Sequence, residues 1–326
     1  MGEGAYAIQA RNVKKHYGRT KEGPGLNGLS LNVPTGCIFG LLGPNGAGKT
    51  TVVKILTTLL RMDEGSATVA GYDVSKEGHL VRSRIGLAGQ YAAVDEQLTG
   101  YQNLEMFGRL NRLAKKHASR RAEELLTQFD LTEAASRAVG KYSGGMRRRL
   151  DLAASLIVSP DVLFVDEPTT GLDPLARQEV WRAIRSLKEA GTTVLLTTQY
   201  LEEADQLADL ISILKDGRVI REGTPEHLKS SFGGDRLEVT LLRQEDAVEA
   251  ERILRGIGGA SVVVDNSANR ISVPVSDRTG SLLKAASAFA DSGLEPEDMV
   301  LRRPTLDEVF IHFTGLNGVS NKEESR

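Results

Sequence analysis

Gly43-Pro44-Asn45-Gly46-Ala47-Gly48-Lys49-Thr50 is the stretch on which the fold turns. It follows the apolar run 37–42 and opens a helical stretch, 49–60. The glycines, with Lys and Thr in register, fit the pattern G-x-x-x-x-G-K-[ST] in the strand–helix context that the pattern requires. Residues without a Cβ let backbone N–H groups curl around phosphate oxygens. The helix N-terminus adds its positive end. Lys49 would supply a point charge to the β and γ phosphates of a nucleotide, and the Thr50 hydroxyl would be a ligand for Mg²⁺.

A second element supports the first. The run Val162-Leu163-Phe164-Val165-Asp166-Glu167-Pro168 is an apolar strand ending in two adjacent carboxylates. Asp166 would hold Mg²⁺ through water, and Glu167 would orient or deprotonate an attacking water. Side chains alternate along a strand, so the two carboxylates need not crowd one site. A third element, Ser143-Gly144-Gly145-Met146-Arg147, lies 23 residues before Asp166. A Ser N-cap, two glycines and a helix start make another anion-binding terminus. One nucleotide does not need two such termini from one chain, so this one would serve the nucleotide of a second subunit.

The chain has 326 residues, with Lys+Arg 41 against Asp+Glu 43 and a net charge of -2, which argues against gripping nucleic acid by bulk charge. Its one cysteine, Cys37, excludes an intrachain disulfide and a Cys-rich metal site. No apolar run approaches the ~20 residues of a spanning helix, and the N-terminus has neither a signal-peptide pattern nor a myristoylation pattern. Residues 5–225 alternate short apolar strands (5–10, 36–42, 85–88, 162–166, 193–197, 210–215, 218–222) with helices (49–60, 118–128, 144–158, 174–190, 201–208). Continuous apolar runs favour a largely parallel, doubly covered sheet. Asp216-Gly217 marks a tight hairpin. The stretch 229–235 reads as a linker, and 237–302 follows in the order βαββαβ, the ferredoxin-like plan. A last helix starts after Pro304, with Thr305 as N-cap and Glu308 as its capping-box partner.

Here a family resemblance becomes specific. The phosphate cradle (Walker A), Gly89-Gln90-Tyr91, Ser143–Arg147, the carboxylate strand (Walker B) and Gly171-Leu172-Asp173 occur in the order seen in ATP-binding subunits of ABC transporters. Tyr142–Arg149 (YSGGMRRR), Thr197-Thr198-Gln199-Tyr200-Leu201 and Leu306-Asp307-Glu308-Val309-Phe310 resemble the daunorubicin/doxorubicin-resistance ATPase subgroup. The resemblance implies an α/β, P-loop ABC-type domain over 5–228, with a helical subdomain at about 92–158. A small α+β domain (235–315) follows, then a disordered tail (317–326). It also implies an ATPase with ATP and Mg²⁺, in which two copies pair head to tail. Each ATP would then lie between one cradle, with Thr51, and the other copy's Ser143, Gly144 and Gly145. Tyr17 would stack on adenine. Gln90 would sense Mg²⁺ and link the site to a membrane partner, and Asp173 would reach across the dimer interface.

The implied role is export of a hydrophobic drug or lipid through a separately encoded permease. The chain would sit at the cytoplasmic face of the cell membrane and touch it only through that permease, with no nucleic acid. A translation- or DNA-linked ABC ATPase is the alternative. One Walker A and only 92 residues between Thr50 and Ser143, without sustained heptads, speak against it. One residue departs from the family pattern: Gln199 stands where most members carry a histidine that contacts the γ-phosphate. A glutamine amide can donate a hydrogen bond there but cannot take a charge. The run Arg147-Arg148-Arg149 reads as a solvated helix face. The 235–315 domain is expected to stabilise the dimer or the permease complex.

Overall fold

A computed structural model describes residues 6–17, 25–90, 93–231, 235–259, 262–265 and 268–314. It divides into two compact units, Met1–Thr224 and Pro225–Arg326. The first unit begins β1 (Tyr6–His16), β2 (Gly25–Pro34), β3 (Ile38–Leu42), α1 (Lys49–Leu56), β4 (Glu64–Val69) and β5 (Tyr72–Asp73). It continues α2 (Gly78–Arg84), β6 (Ile85–Ala88), α3 (Gly100–Leu110), α4 (Lys115–Gln128), α5 (Gly144–Ser155) and β7 (Val162–Asp166). It ends α6 (Pro174–Glu189), β8 (Thr193–Thr198), α7 (Leu201–Leu207), β9 (Leu210–Lys215) and β10 (Arg218–Gly223).

The central sheet has the order β10-β9-β3-β8-β7-β6, parallel except for the β9–β10 hairpin. Asp216 (φ 49) and Gly217 (φ 71) close that hairpin, both left-handed as its tight turn requires. Every residue of β3, β7 and β8 is buried. Alternate side chains feed two cores. Leu163, Val165, Val194 and Leu196 pack with α4, α5 and α6, while Phe39, Leu41, Val162, Phe164 and Leu195 pack with α1 on the other side. Burying each such side chain contributes roughly 1.5–3 kcal/mol, and this anchors the strand ends on which the polar residues sit.

The second core is closed by an antiparallel sheet, β2-β1-β4-β5. The strand expected at 5–10 therefore belongs to this sheet and not to the parallel one. It runs on to His16 and pairs with β2 and β4. Three register irregularities break its alternation, which is why the sequence pattern stops at residue 10. In α4, Ala118, Ala122, Leu125 and Leu126 are buried on one face, as their spacing predicts.

The second unit comprises α8 (Pro225–Ser231), β11 (Asp235–Leu241), α9 (Ala247–Gly258), β12 (Val263–Asp265), β13 (Arg270–Val275), α10 (Arg278–Asp291), β14 (Pro296–Arg302) and α11 (Leu306–Thr314). The chain enters this unit at Pro225, inside the stretch 5–228 and ahead of 229–235, whose composition reads as a linker. Residues 229–231 lie in α8. The sheet order β12-β13-β11-β14 is antiparallel, with the first and second strands split by the third, as the βαββαβ plan demands. Leu237, Val239 and Leu241 alternate into a core with Leu254, Val273 and Phe289. At α11 the Thr305 amide donates to Glu308 Oε2 at 3.0 Å, and the Glu308 amide donates to Thr305 Oγ1 at 3.4 Å. Glu308 also takes a forked pair from Arg302 of β14, at 2.7 and 3.0 Å. The tail 317–326 lies outside the described residues.

Candidate active site

β3 ends at Leu42 and α1 begins at Lys49, so the loop between them stands at the C-terminal edge of the parallel sheet. Gly48 holds φ 107 at the helix entry, a conformation that L side chains rarely adopt. A Cβ on Gly43 would lie 2.6 Å from the Leu214 carbonyl oxygen, so no larger residue fits against β9. Nothing would meet a Cβ on Gly46 within 4 Å, so the loop is open on that side. A cavity of about 260 Å³ is lined by Tyr17, Gly25, Pro44, Asn45, Gly46, Gly48, Lys49, Thr50, Thr51 and Glu167. Gly43 and Ala47 lie buried behind it.

Lys49 is 5% exposed. Its ammonium donates to the carbonyls of Gly43 (2.7 Å) and Pro44 (3.2 Å) and stands 3.7 Å from Glu167 Oε1. Burial pulls the Lys49 pKa below the usual lysine value, while Glu167 and then Asp166 push it back up. A phosphate entering the cavity would offer this ammonium a stronger partner than the two carbonyls.

β7 delivers the two carboxylates to different places. Asp166, the last strand residue, is 6% exposed and accepts a short bond from the Thr197 hydroxyl of β8. Glu167 leaves the strand at φ 47 and turns its side chain into the cavity. A non-glycine residue in that region costs about 1–3 kcal/mol and persists only where its surroundings hold it. The Glu167 amide donates to the Thr197 carbonyl at 3.0 Å, and the Thr170 hydroxyl lies 3.4 Å from Glu167 Oε2. The donor set of a hydroxyl (Thr50) and carboxylates fits a hard divalent cation that arrives with a nucleotide phosphate.

Asp166, Gln90, Ser143, Gly144, Gly145, Asp173 and Gln199 do not line this cavity. Tyr17 does, exposed by 43%, with its hydroxyl 3.5 Å from Thr51 Oγ1. Gln90 is exposed, two residues after β6 ends at Ala88. Ser143 and Gly144 are exposed, and the Ser143 hydroxyl accepts from the Met146 amide at 3.2 Å as the N-cap of α5. Gly145 is buried where α5 crosses α6; a Cβ there would come within 2.9 Å of Ala176 Cβ. Asp173 is exposed and caps α6 through the Ala176 amide at 2.9 Å.

Gln199 is half-buried in the turn between β8 and α7. Gln199→His should keep hydrolysis at or above the wild-type rate, and Gln199→Ala should slow a single turnover. If both behave like wild type in single-turnover assays, position 199 takes no part in catalysis.

Sequence reasoning missed Arg148. Of its neighbours, Arg147 is 35% exposed and pairs with Glu96 (2.8 Å), whereas Arg149 is 12% exposed, donates to the Phe129 carbonyl (2.9 Å) and pairs with Glu179 (3.3 Å), so the solvated-face expectation fails there too. Arg148 is 6% exposed. It is buried because α5 turns it to the same side as Gly145 and Leu152, a helical spacing that was legible. Burial lowers its pKa, opposed by the carboxylates of Asp151, Glu203 and Asp166. Glu203 of α7 was also missed. It is fully buried and accepts from the Thr169 hydroxyl (2.8 Å) and the Trp181 indole (3.1 Å).

Comparison with known proteins adds to this geometry. The ABC transporter family matches residues 26–170, and the C-terminal domain family of DrrA1-3-like ATP-binding proteins matches residues 223–314. The chain is 54% identical over 310 residues to the daunorubicin resistance ATP-binding protein DrrA2 of Streptomyces coeruleorubidus, covering 95% of each. It is 46% identical over 313 residues to the doxorubicin resistance ATP-binding protein DrrA of Mycobacterium tuberculosis, covering 94% of this chain and 93% of that protein. Among solved structures it resembles cbiO1 of Clostridium perfringens, part of the ABC transporter complex cbiONQ. The TM-score is 0.63 at 26% identity, over 69% of this chain and 91% of that one. A dimeric ATP-binding cassette bound to ADP and Pi matches with TM-score 0.59 at 26% identity, over 67% of this chain and 98% of that one. The chain belongs to the ABC transporter ATP-binding proteins, in the group of the daunorubicin and doxorubicin resistance ATP-binding proteins.

Proposed function

We propose that this chain powers export of a hydrophobic drug or lipid through a separately encoded permease, by hydrolysing ATP between two copies of itself. The observation that carries the dimer reading is the separation within one chain. Lys49, Thr50 and Glu167 share a cavity, while Ser143, Gly144 and Asp173 are exposed elsewhere. A head-to-tail pair brings the second group of one copy onto the first group of the other. Among the described residues no helix is long and apolar enough to cross a membrane, in keeping with a transport path on another chain.

In this reading the loop amides and Lys49 bind and orient the β and γ phosphates. Glu167 orients the attacking water and takes its proton. Mg²⁺, when bound, neutralises charge building on the phosphate oxygens, with Thr50, Asp166 and Gln90 as the residues that would hold it. Ser143, with the amides of Gly144 and Gly145, binds the γ-phosphate from the opposite copy, and the Tyr17 ring stacks on adenine. Gln199 donates a hydrogen bond to the γ-phosphate in place of a histidine.

Hydrolysis should rise more steeply than linearly with chain concentration, through the range where sedimentation shows monomer giving way to dimer. It should vanish with EDTA and return with added Mg²⁺. A rate per chain that is constant across that range would contradict the two-copy site.

A further inference from the structure

Arg148 and Asp151 lie one turn apart on α5, the helix that starts at Ser143. Both are buried, and Arg148 Nη1 meets Asp151 Oδ2 at 3.1 Å. Buried charges are tolerated only where their remaining donors and acceptors are used. Here they are used in a particular way. Arg148 Nη1 donates to the Gly89 carbonyl at 2.6 Å, and the Ala93 amide donates to Asp151 Oδ1 at 2.8 Å. These two bonds hold Gly89, the residue before Gln90, and Ala93, three residues after it. Arg148 Nη2 donates to the Asp166 carbonyl at 3.1 Å, and Nε donates to the Pro168 carbonyl at 3.0 Å. These two bonds grip the backbone on either side of Glu167, the residue held at φ 47.

We propose that Arg148 and Asp151 are positioning residues for hydrolysis, holding the Gln90 segment and the Glu167 turn on helix α5 as one unit. This rests on the roles given above to Gln90 and Glu167. Without the guanidinium two buried carbonyls and one part-buried carbonyl lose a donor, and Glu167 is free to relax out of its left-handed conformation. A lysine keeps the charge, but its compact ammonium on a flexible stem cannot serve carbonyls from both segments as a planar fork does.

The test uses the full chain with Arg148→Lys and Asp151→Asn. Arg148→Lys should lower kcat for ATP by about 10- to 100-fold while nucleotide Kd stays within about twofold, because misplacement of a catalytic group costs rate and not cradle binding. Asp151→Asn, which leaves the carbonyl bonds in place, should show the same split with a smaller fall. It carries the test if Arg148→Lys fails to fold. On a Glu167→Gln background, Arg148→Lys should cost less than it does on the wild-type background, because the part that acts through Glu167 is already gone. Wild-type kcat in both single variants overturns the proposal. So does a joint loss of kcat and nucleotide affinity, or an additive loss on the Glu167→Gln background. If Glu167→Gln alone hydrolyses at the wild-type rate, the reading of Glu167 fails, while the kcat values of the single variants still decide the roles of Arg148 and Asp151.

Discussion

Glu167→Gln should leave ATP bound and slow its hydrolysis by about 10²–10⁴-fold, the usual contribution of a placed general base. The change is nearly isosteric and touches only one property. Glu167 lines the cavity, its carboxylate 3.7 Å from the Lys49 ammonium, on a backbone held at φ 47. An amide there can still orient a water but cannot take its proton. Removing the negative charge beside Lys49 also leaves the ammonium freer for phosphate, so the Kd for ATP should hold or fall. Turnover at the wild-type rate in a multiple-turnover phosphate-release assay would remove Glu167 from the mechanism.

Lys49→Ala should raise the Kd for ATP by about 10²-fold or more, since stripping one partner from a buried charge-assisted contact costs about 2–5 kcal/mol. The side chain is 5% exposed and its ammonium points at two loop carbonyls and at Glu167, the place where phosphate oxygens would sit. Among the described residues that line the cavity, nothing else is a cation. The loop loses the two carbonyl bonds of the ammonium but keeps backbone bonds that do not involve it, from the Ala47 amide to the Pro44 carbonyl (3.2 Å) and from the Gly217 amide to the Ala47 carbonyl (3.1 Å), so it should persist. Equilibrium dialysis giving an unchanged Kd would end the phosphate-cradle assignment.

The central strands β3, β7 and β8 are legible in the sequence because both their faces are buried and their apolar runs are unbroken. β2 is not, although Leu29, Leu31 and Val33 alternate in it. Gly25 and Gly28 interrupt the pattern, and its partner β1 carries bulges. α3 was overlooked despite a Thr99–Gln102 capping box that local sequence reading can recognise. At the site, the residues proposed to meet phosphate belong to short motifs and can be read directly. Arg148, Asp151 and Glu203 bond to partners distant in sequence, such as Gly89, Ala93 and Thr169, and only the folded chain brings those together.

The claim at the centre is that each ATP is hydrolysed between the cradle of one copy and the Ser143 terminus of the other. A mixing experiment addresses it directly. Lys49→Ala disables the cradle. Ser143→Asp keeps a good helix N-cap but sets a negative charge against the γ-phosphate. Each variant alone should be inactive. Mixed in equal amounts they should recover hydrolysis, to about a quarter of the wild-type rate, because half the pairs are mixed and each mixed pair keeps one intact site. A mixture no more active than the sum of its two components would contradict the shared site.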